Sequence, residues 1–483
     1  MRRTASALAT LAALGGCMML GPDYQRPAAN APATFRFEDK AAQDVANAQW
    51  WRQFDDPALN DLIQSALADN LDVKIAAARI EEFLGRYGVT RSQLFPQVSA
   101  DLNVARQRIS REPLPTPVPS TVNPNFTSYQ ATLLASWELD LWGRIRRLTE
   151  SARADVLATE EGRRATILTL VSSVASSYIN LRDLDRRLVI TRYTTASREQ
   201  AVKVFELRFK GGVVTEMELA QSRSEYESSA AQIPQIEGLI AQQENALSVL
   251  LGHNPGPITR GRELDTLVLP PVPAGLPSQL LERRPDLRQA EQNLISANAQ
   301  IGAARALYFP TISLTGAFGS ASAQLSNLFS GPARIWSFAG DALAPIFTAG
   351  AIAGQVQQAE ARQQQALLQY QKAIQTAFRE VEDALIGLQK AREALLVQAR
   401  QLDALRTYAR LARLRYEGGY TSYLEVLDAE RSLFNGELSY TQTQGTVLAS
   451  LVDLYKALGG GWVEEAEKLA APGTQPVSQA AQP

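Results

Sequence analysis

The 483-residue chain contains itself twice. Arg208-Phe209-Lys210-Gly211-Gly212 returns as Arg415-Tyr416-Glu417-Gly418-Gly419, 207 positions later. The same offset carries Leu251-Gly252 onto Leu458-Gly459 and Gly143 onto Gly350. Upstream, Gln93-Leu94-Phe95-Pro96-Gln97-Val98-Ser99 matches Leu307-Tyr308-Phe309-Pro310-Thr311-Ile312-Ser313 at an offset of 214. The difference falls between Pro96 and Gly143, where the first half carries a Pro-rich insertion from Glu112 to Pro124. A period of about 200 residues is too long for a solenoid unit of roughly 20–50. It reads as a duplication, with one copy of a single fold in each half.

Each half predicts the same order of elements. A helix comes first, over 72–93 and again over 286–307, ended by a Phe-Pro step that disfavours further helix. Alternation follows. Val98, Ala100, Leu102 and Val104 share one face, and Tyr129, Ala131, Leu133, Ala135, Trp137 and Leu139 share another, with polar residues between. A period of two marks a strand with one apolar and one polar side. Strands are expected near 97–107, 127–141, 311–319 and 333–345. From Gly143 to Lys210 and from Gly350 to Glu417 there is no Pro and almost no Gly. At 1.5 Å per residue each stretch predicts a helix of roughly 100 Å. A Gly-Gly stop and a returning helix of about forty residues complete each half, whose apolar spacing of 3.5 residues means lateral coiled-coil packing. The expected division is a segment 17–56, a first repeat 57–252, a linker 253–277, a second repeat 278–462, and a Pro/Gln/Ala/Ser-rich disordered tail 463–483.

The start of the chain predicts its destination. Arg2 and Arg3 precede about a dozen small and apolar residues, the pattern of a secretory signal over 1–16, too short to span a bilayer. It ends at Leu14-Gly15-Gly16-Cys17, similar to the lipobox of bacterial lipoproteins, so Cys17 is the expected lipidation site. Met18 follows where an Asp would signal inner-membrane retention, which points to the outer membrane. A net charge of −2 argues against a nucleic-acid partner. With one Cys and one His, neither a thiolate–imidazole metal site nor a Cys/His nucleophilic pair is expected. The sequence calls for no cofactor, and no convergent set of residue types suggests an enzyme.

No later stretch is long and apolar enough for a membrane helix, so a membrane crossing has to use strands. Four strands cannot close a barrel, since the smallest membrane barrels have eight. An open sheet in lipid leaves its edges unpaired at several kcal/mol per group. The chain is therefore expected to oligomerise, and a homotrimer of twelve strands leaves a lumen where eight would be filled by side chains. The polar face along Thr132, Ser136, Glu138 and Asp140 is the expected lumen lining. The competing reading is a periplasmic coiled-coil scaffold or adaptor held only by its lipid. It explains the helices and Cys17 but leaves the alternating runs without a purpose.

The run Leu414-Arg415-Tyr416-Glu417-Gly418-Gly419, then Tyr423 to Arg431, then Leu454-Tyr455-Lys456-Ala457-Leu458-Gly459-Gly460-Gly461-Trp462, resembles the outer-membrane factor family of tripartite efflux systems. Cys17 and Gly21-Pro22-Asp23-Tyr24-Gln25-Arg26-Pro27 resemble its lipoprotein, OprM-like branch within the TolC-like proteins. The likeness runs from the lipobox to Trp462. It implies an α+β membrane protein: a trimeric 12-stranded outer-membrane β-barrel, four strands per chain, continuous with a long periplasmic α-helical barrel. It also implies docking to a periplasmic adaptor and an inner-membrane pump. Carried over residue by residue, it implies a periplasmic gate at Tyr416, Leu424, Asp428 and Arg431. Leu424, Asp428 and Arg431 share one helical face, and three copies about an axis would form apolar, acidic and basic rings able to select and gate. The bland alternative is an exposed ion pair worth well under about 1 kcal/mol. The repeat bears on the choice: the first half has Met217, Gln221 and Ser224 at these positions, keeping the fold without the charges.

Overall fold

The computed structural model describes residues 18–28, 32, 34–37, 49–108, 110, 123–270, 272, 277–459, 462, 463 and 466. Cys17 and most of the C-terminal tail lie outside the described residues. The first repeat runs α1 (Pro57–Asp69), α2 (Leu71–Ser92), β1 (Gln97–Arg108), β2 (Asn125–Leu139), α3 (Arg144–Lys210), α4 (Glu216–Ala230) and α5 (Gln232–Leu250). The second runs α6 (Pro277–Arg283), α7 (Pro285–Ala306), β3 (Thr311–Ser322), β4 (Arg334–Leu343), α8 (Ala351–Glu417) and α9 (Tyr423–Ala457). The two long helices, α3 and α8, have 67 residues each. No helix among the described residues is long and apolar enough to cross a membrane.

The chain forms two compact units. One comprises Met1–Ala28, Ile80–Thr159 and Ala290–Tyr370; the other comprises Ala29–Arg79, Glu160–Gln289 and Gln371–Pro483. The first holds a four-stranded antiparallel sheet in the order β1-β2-β3-β4. Its register places Val98 opposite Ala135, Leu102 opposite Ala131, Leu133 opposite Phe318 and Phe318 opposite Trp336. Side chains alternate between faces, so one apolar face crosses all four strands: Val98, Leu102 and Val104, Leu133 and Trp137, Leu314 and Phe318, Trp336 and Phe338. All of these are exposed, Leu102 at 82% and Phe338 at 80%. The other face carries Asp101, Asn103, Gln130, Thr132, Ser136, Ser313, Thr315 and Asp341, interrupted by Leu134 and Ile335 and, at strand ends, by Phe126 and Leu343. β1 and β4 are the free edges.

Residues 18–28 are tied to this unit. The Leu20 amide donates to the Trp142 carbonyl at 3.2 Å, and Arg147 donates to the Leu20 carbonyl at 3.0 Å and to Asp23 at 2.7 Å. Gly21 has φ +90°, and a Cβ there would lie 2.4 Å from the Gly302 Cα, so only glycine fits this crossing. Tyr24 and Arg26 both donate to Glu291, at 3.0 and 2.6 Å. The segment that follows Cys17 is thus strapped beside the turn between β2 and α3.

One expectation needs correction. The returning helix of the first repeat is not continuous: it breaks at Ala231 between α4 and α5. Pro234 lacks an N–H and its ring clashes with the carbonyl four residues back. Thr441 stands at the equivalent position of the second repeat, and α9 runs unbroken for 35 residues. The stretch after α5, between the repeats, is tied to the same unit. Tyr178 donates to the fully buried Asp56 at 2.7 Å and accepts from the Gly261 amide at 2.9 Å, while the Arg262 amide donates to the same carboxylate at 3.1 Å. Trp462, at the end of the expected second repeat, and Val463 and Ala466 just past it are buried.

Candidate functional site: the helical tip

Each repeat ends in a helix–turn–helix, α3 to α4 and α8 to α9. Gly212 (φ +67°) and Gly419 (φ +75°) take the left-handed conformation that glycine adopts freely. The Val213 amide then reaches the Arg208 carbonyl at 2.9 Å, and the Tyr420 amide reaches the Arg415 carbonyl at 2.8 Å. Both are Schellman stops that use up orphan carbonyls. Beyond them the copies diverge. Thr215 accepts from the Glu218 amide while Glu218 reaches back to the Thr215 amide at 2.8 Å, a closed capping box. Glu425, the copy of Glu218, instead accepts from Arg415 at 3.1 Å and from Thr421, and Ser422 makes no side-chain cap.

All four tip helices contribute to one small core: Phe205, Leu219, Ala412, Tyr423, Val426, Leu427 and Ala429. The Phe205 ring lies 4.1 Å from that of Tyr423 and 6.5 Å from that of Tyr416, and the two tyrosine rings are 5.3 Å apart. Burial, reinforced by the negative charge of Glu430, pushes the Tyr423 hydroxyl up to about 12. Arg208 donates to the Tyr416 hydroxyl at 3.2 Å. Tyr416 therefore belongs to the contact between the two repeats' hairpins.

Leu424, Asp428 and Arg431 do come together. Arg431 donates to Asp428 at 2.8 Å, and Leu424 is 60% exposed beside them. They line a cleft of about 520 Å³ with Gln221 and Ser224, the first-repeat copies of Asp428 and Arg431. The neutral copies thus line the same cleft as the charged ones. The fourth member is Tyr408, whose hydroxyl donates to Asp428 at 3.4 Å. Partial desolvation, then the Asp428 charge and that hydrogen bond, raise the Tyr408 hydroxyl above its ordinary value. Tyr408 is the residue sequence reasoning missed. It lies two helical turns before Tyr416 on α8, and only the packing of α8 on α9 makes the contact. Asp428 and Arg431 sit on one helix, so their ion pair cannot tie helix to helix. Ties between α8 and α9 include Arg413 to Glu430, Arg415 to Glu425 and Tyr408 to Asp428, and the aromatic core joins the repeats.

In the sheet unit, the four expected lumen residues take different roles. Thr132 is buried over Gly319, where a Cβ would lie 2.7 Å from the Thr132 Cα. Ser136 is exposed. Glu138 accepts three hydrogen bonds from Arg144, at 2.8, 2.9 and 3.1 Å. Asp140 lies past the end of β2, where it accepts from the Ile145 and Arg146 amides at 3.0 and 2.9 Å. Those are orphan donors of the first turn of α3, so Asp140 caps that helix.

A family model described as outer membrane efflux protein matches residues 62–253 and 276–460, one stretch per repeat. The probable efflux pump outer membrane protein TtgC of Pseudomonas putida is 40% identical over 461 residues, 94% of each chain. The cation efflux system protein CusC of Escherichia coli is 38% identical over 455 residues, 93% of this chain and 97% of the relative. The solved open state of the Neisseria gonorrhoeae MtrE outer membrane channel superposes with a TM-score of 0.82 at 33% identity, covering 92% of this chain and 99% of that one. With both repeats matched over nearly their whole length, the chain belongs to the outer membrane efflux protein family.

Proposed function

We propose that the chain is the outer-membrane duct of a tripartite efflux system, a passive homotrimer that carries small molecules outward from a periplasmic adaptor and an inner-membrane pump. The observation that carries this reading is the sheet: an exposed apolar face spans four strands and ends at two unpaired edges. In water such a face is a liability. In lipid it is a membrane surface, provided the edges are paired. Three copies give twelve strands, an outward apolar band and a polar lumen to which Ser136 and Asp101 contribute. A scaffold held by its lipid alone would leave that face unexplained. Acylation at Cys17 fits the strap formed by residues 18–28, which holds the anchored end against the same unit as the strands.

Tyr416, Leu424, Asp428 and Arg431, joined by Tyr408, form the periplasmic gate with a division of labour. Leu424, Asp428 and Arg431 line the passage and set which ions pass. Tyr416 belongs to the aromatic core that holds the hairpins together. The test is conductance of the purified protein in planar lipid bilayers, beside its mass in native conditions. A trimer with discrete steps, larger when Asp428→Ala is combined with Arg431→Ala, supports both parts. Unchanged steps in that variant remove the gate assignment. A monomer without conductance in either form removes the duct.

A further inference from the structure

The four strands carry six charged residues, and these sort by face. Asp101, Glu138 and Asp341 stand on the polar face. Arg106, Arg108 and Arg334 stand on the apolar one. Arg106 and Arg108 continue the alternation of Leu102 and Val104 along β1, and Arg334 continues that of Phe338 and Trp336 along β4. All three arginines are exposed, and none has an ion-pair partner among the described residues. A cation facing hydrocarbon at mid-bilayer is strongly disfavoured, so the height of these residues decides their setting.

The helices α2, α3, α7 and α8 all join the strands at one end of the sheet, and the strap of residues 18–28 is tied to that end. The hairpin ends, where the three arginines sit, are the exterior end of the duct. On β2 the apolar side runs from Leu139 to Tyr129. That stretch, at about 3.4 Å per residue and a tilt of about 40°, rises about 26 Å, against about 25 Å for the apolar band of an outer-membrane barrel. Tyr129 therefore marks the outer boundary of the band, and Val104 stands opposite it. Arg106 and Arg108 lie one and two pleat repeats past that pair, and Arg334 one past Trp336. Each repeat rises about 5 Å, which sets the arginines among the headgroups of the outer leaflet. Asn125, Thr127, Ser320 and Ser322 share that end of the face and add hydrogen-bonding groups.

We propose that Arg106 and Arg108 of one copy, with Arg334 of the adjoining copy, bind the phosphate groups of lipid A, the acylated glycolipid of the outer leaflet. The proposal rests on the trimeric duct above and gives its outer rim a ligand. β1 and β4 are the free edges, so pairing between copies gathers arginines from both sides of each junction. Guanidinium groups with no carboxylate on their face of the sheet repel one another, and a bisphosphorylated headgroup neutralises them. The lumen-side acids cannot do so, because alternate side chains point to opposite faces. Arginine suits this ligand, since its planar fork makes two parallel hydrogen bonds to one phosphate. Below the cations, Val104, Trp336 and Phe338 offer an exposed apolar wall, Trp336 at 71%. Phosphate above and acyl chains beneath match that order.

The full-length trimer, purified in detergent, is titrated with bisphosphorylated lipid A and followed by native mass spectrometry. One tightly held lipid per junction is expected. Lipid A stripped of its phosphates is expected to bind at least about tenfold more weakly. Arg106→Gln, Arg108→Gln and Arg334→Gln together are expected to weaken binding of bisphosphorylated lipid A by the same factor. Arg106→Gln with Arg334→Gln serves should the triple variant fail to assemble. Equal binding with and without the phosphates, or undiminished binding by the variants, overturns the site and leaves the trimer standing. Equally tight binding of phosphatidylglycerol overturns the assignment to lipid A. An unsubstituted chain that shows no trimer overturns the duct reading itself.

Discussion

Replacing Phe205 by Ala separates the two kinds of contact at the tip. Phe205 is 3% exposed and packs in a core drawn from α3, α4, α8 and α9. Truncating a ring so buried costs about 3–5 kcal/mol, because the cavity only partly collapses. The tip can open locally without unfolding the rest, and each ~1.4 kcal/mol is a factor of ten. Amides flanking the core, over 205–219 and 412–430, are therefore expected to exchange with deuterium about 10²–10³-fold faster. Asp428 and Arg431 are about half exposed and share one helix. Removing both costs about 0.3–0.5 kcal/mol, roughly a twofold change in exchange. Hydrogen exchange read by mass spectrometry on the two variants decides the matter. Equal acceleration in both, or none with Phe205→Ala, would refute the claim that aromatic packing holds the hairpins together while the charges act on what passes.

Gly319→Leu should abolish trimer assembly, since its Cβ would lie 2.1 Å from the Ala131 carbonyl oxygen; Gly331→Ala, with open space around it, should assemble normally on native gels. At high pH, Tyr423 sets a limit on the tip. Its folded value of about 12 lies above the unfolded 10.0, so the fold favours the neutral phenol. That contribution is complete below pH 10 and is lost as pH rises through 12. Limited proteolysis should show the tip loosening over that window, and Tyr423→Phe should remove the tyrosine's share of the change.

The architecture was legible because it is written in periods. Alternation in Val98–Val104 and Tyr129–Leu139 announces a two-faced sheet, and the recurrence of Arg-aromatic-x-Gly-Gly announces two equal halves. The same alternation misled at the end of β2. Glu138 and Asp140 keep the polar period, but Asp140 leaves the strand to cap α3, and Arg144 engages Glu138. A pattern of period two cannot distinguish a lumen side chain from a helix cap when both are acidic. At the tip, spacing along α9 was enough to bring Leu424, Asp428 and Arg431 onto one cleft. It could not place Tyr408 or Tyr416, because their neighbours come from other helices. The break at Ala231 is written in Pro234, whose counterpart in the unbroken α9 is Thr441. The register of the sheet, by contrast, follows the sequence offsets pair by pair.

The central claim is that the strands, and not a lipid alone, hold this protein in the membrane. Replacing Cys17 by Ser behind a cleavable signal removes the acyl anchor and leaves the sheet intact. After alkaline carbonate or urea extraction of the membranes, the account predicts that the variant stays in the pellet as a trimer. Its release into the supernatant would contradict the barrel and favour a scaffold anchored only at its first residue.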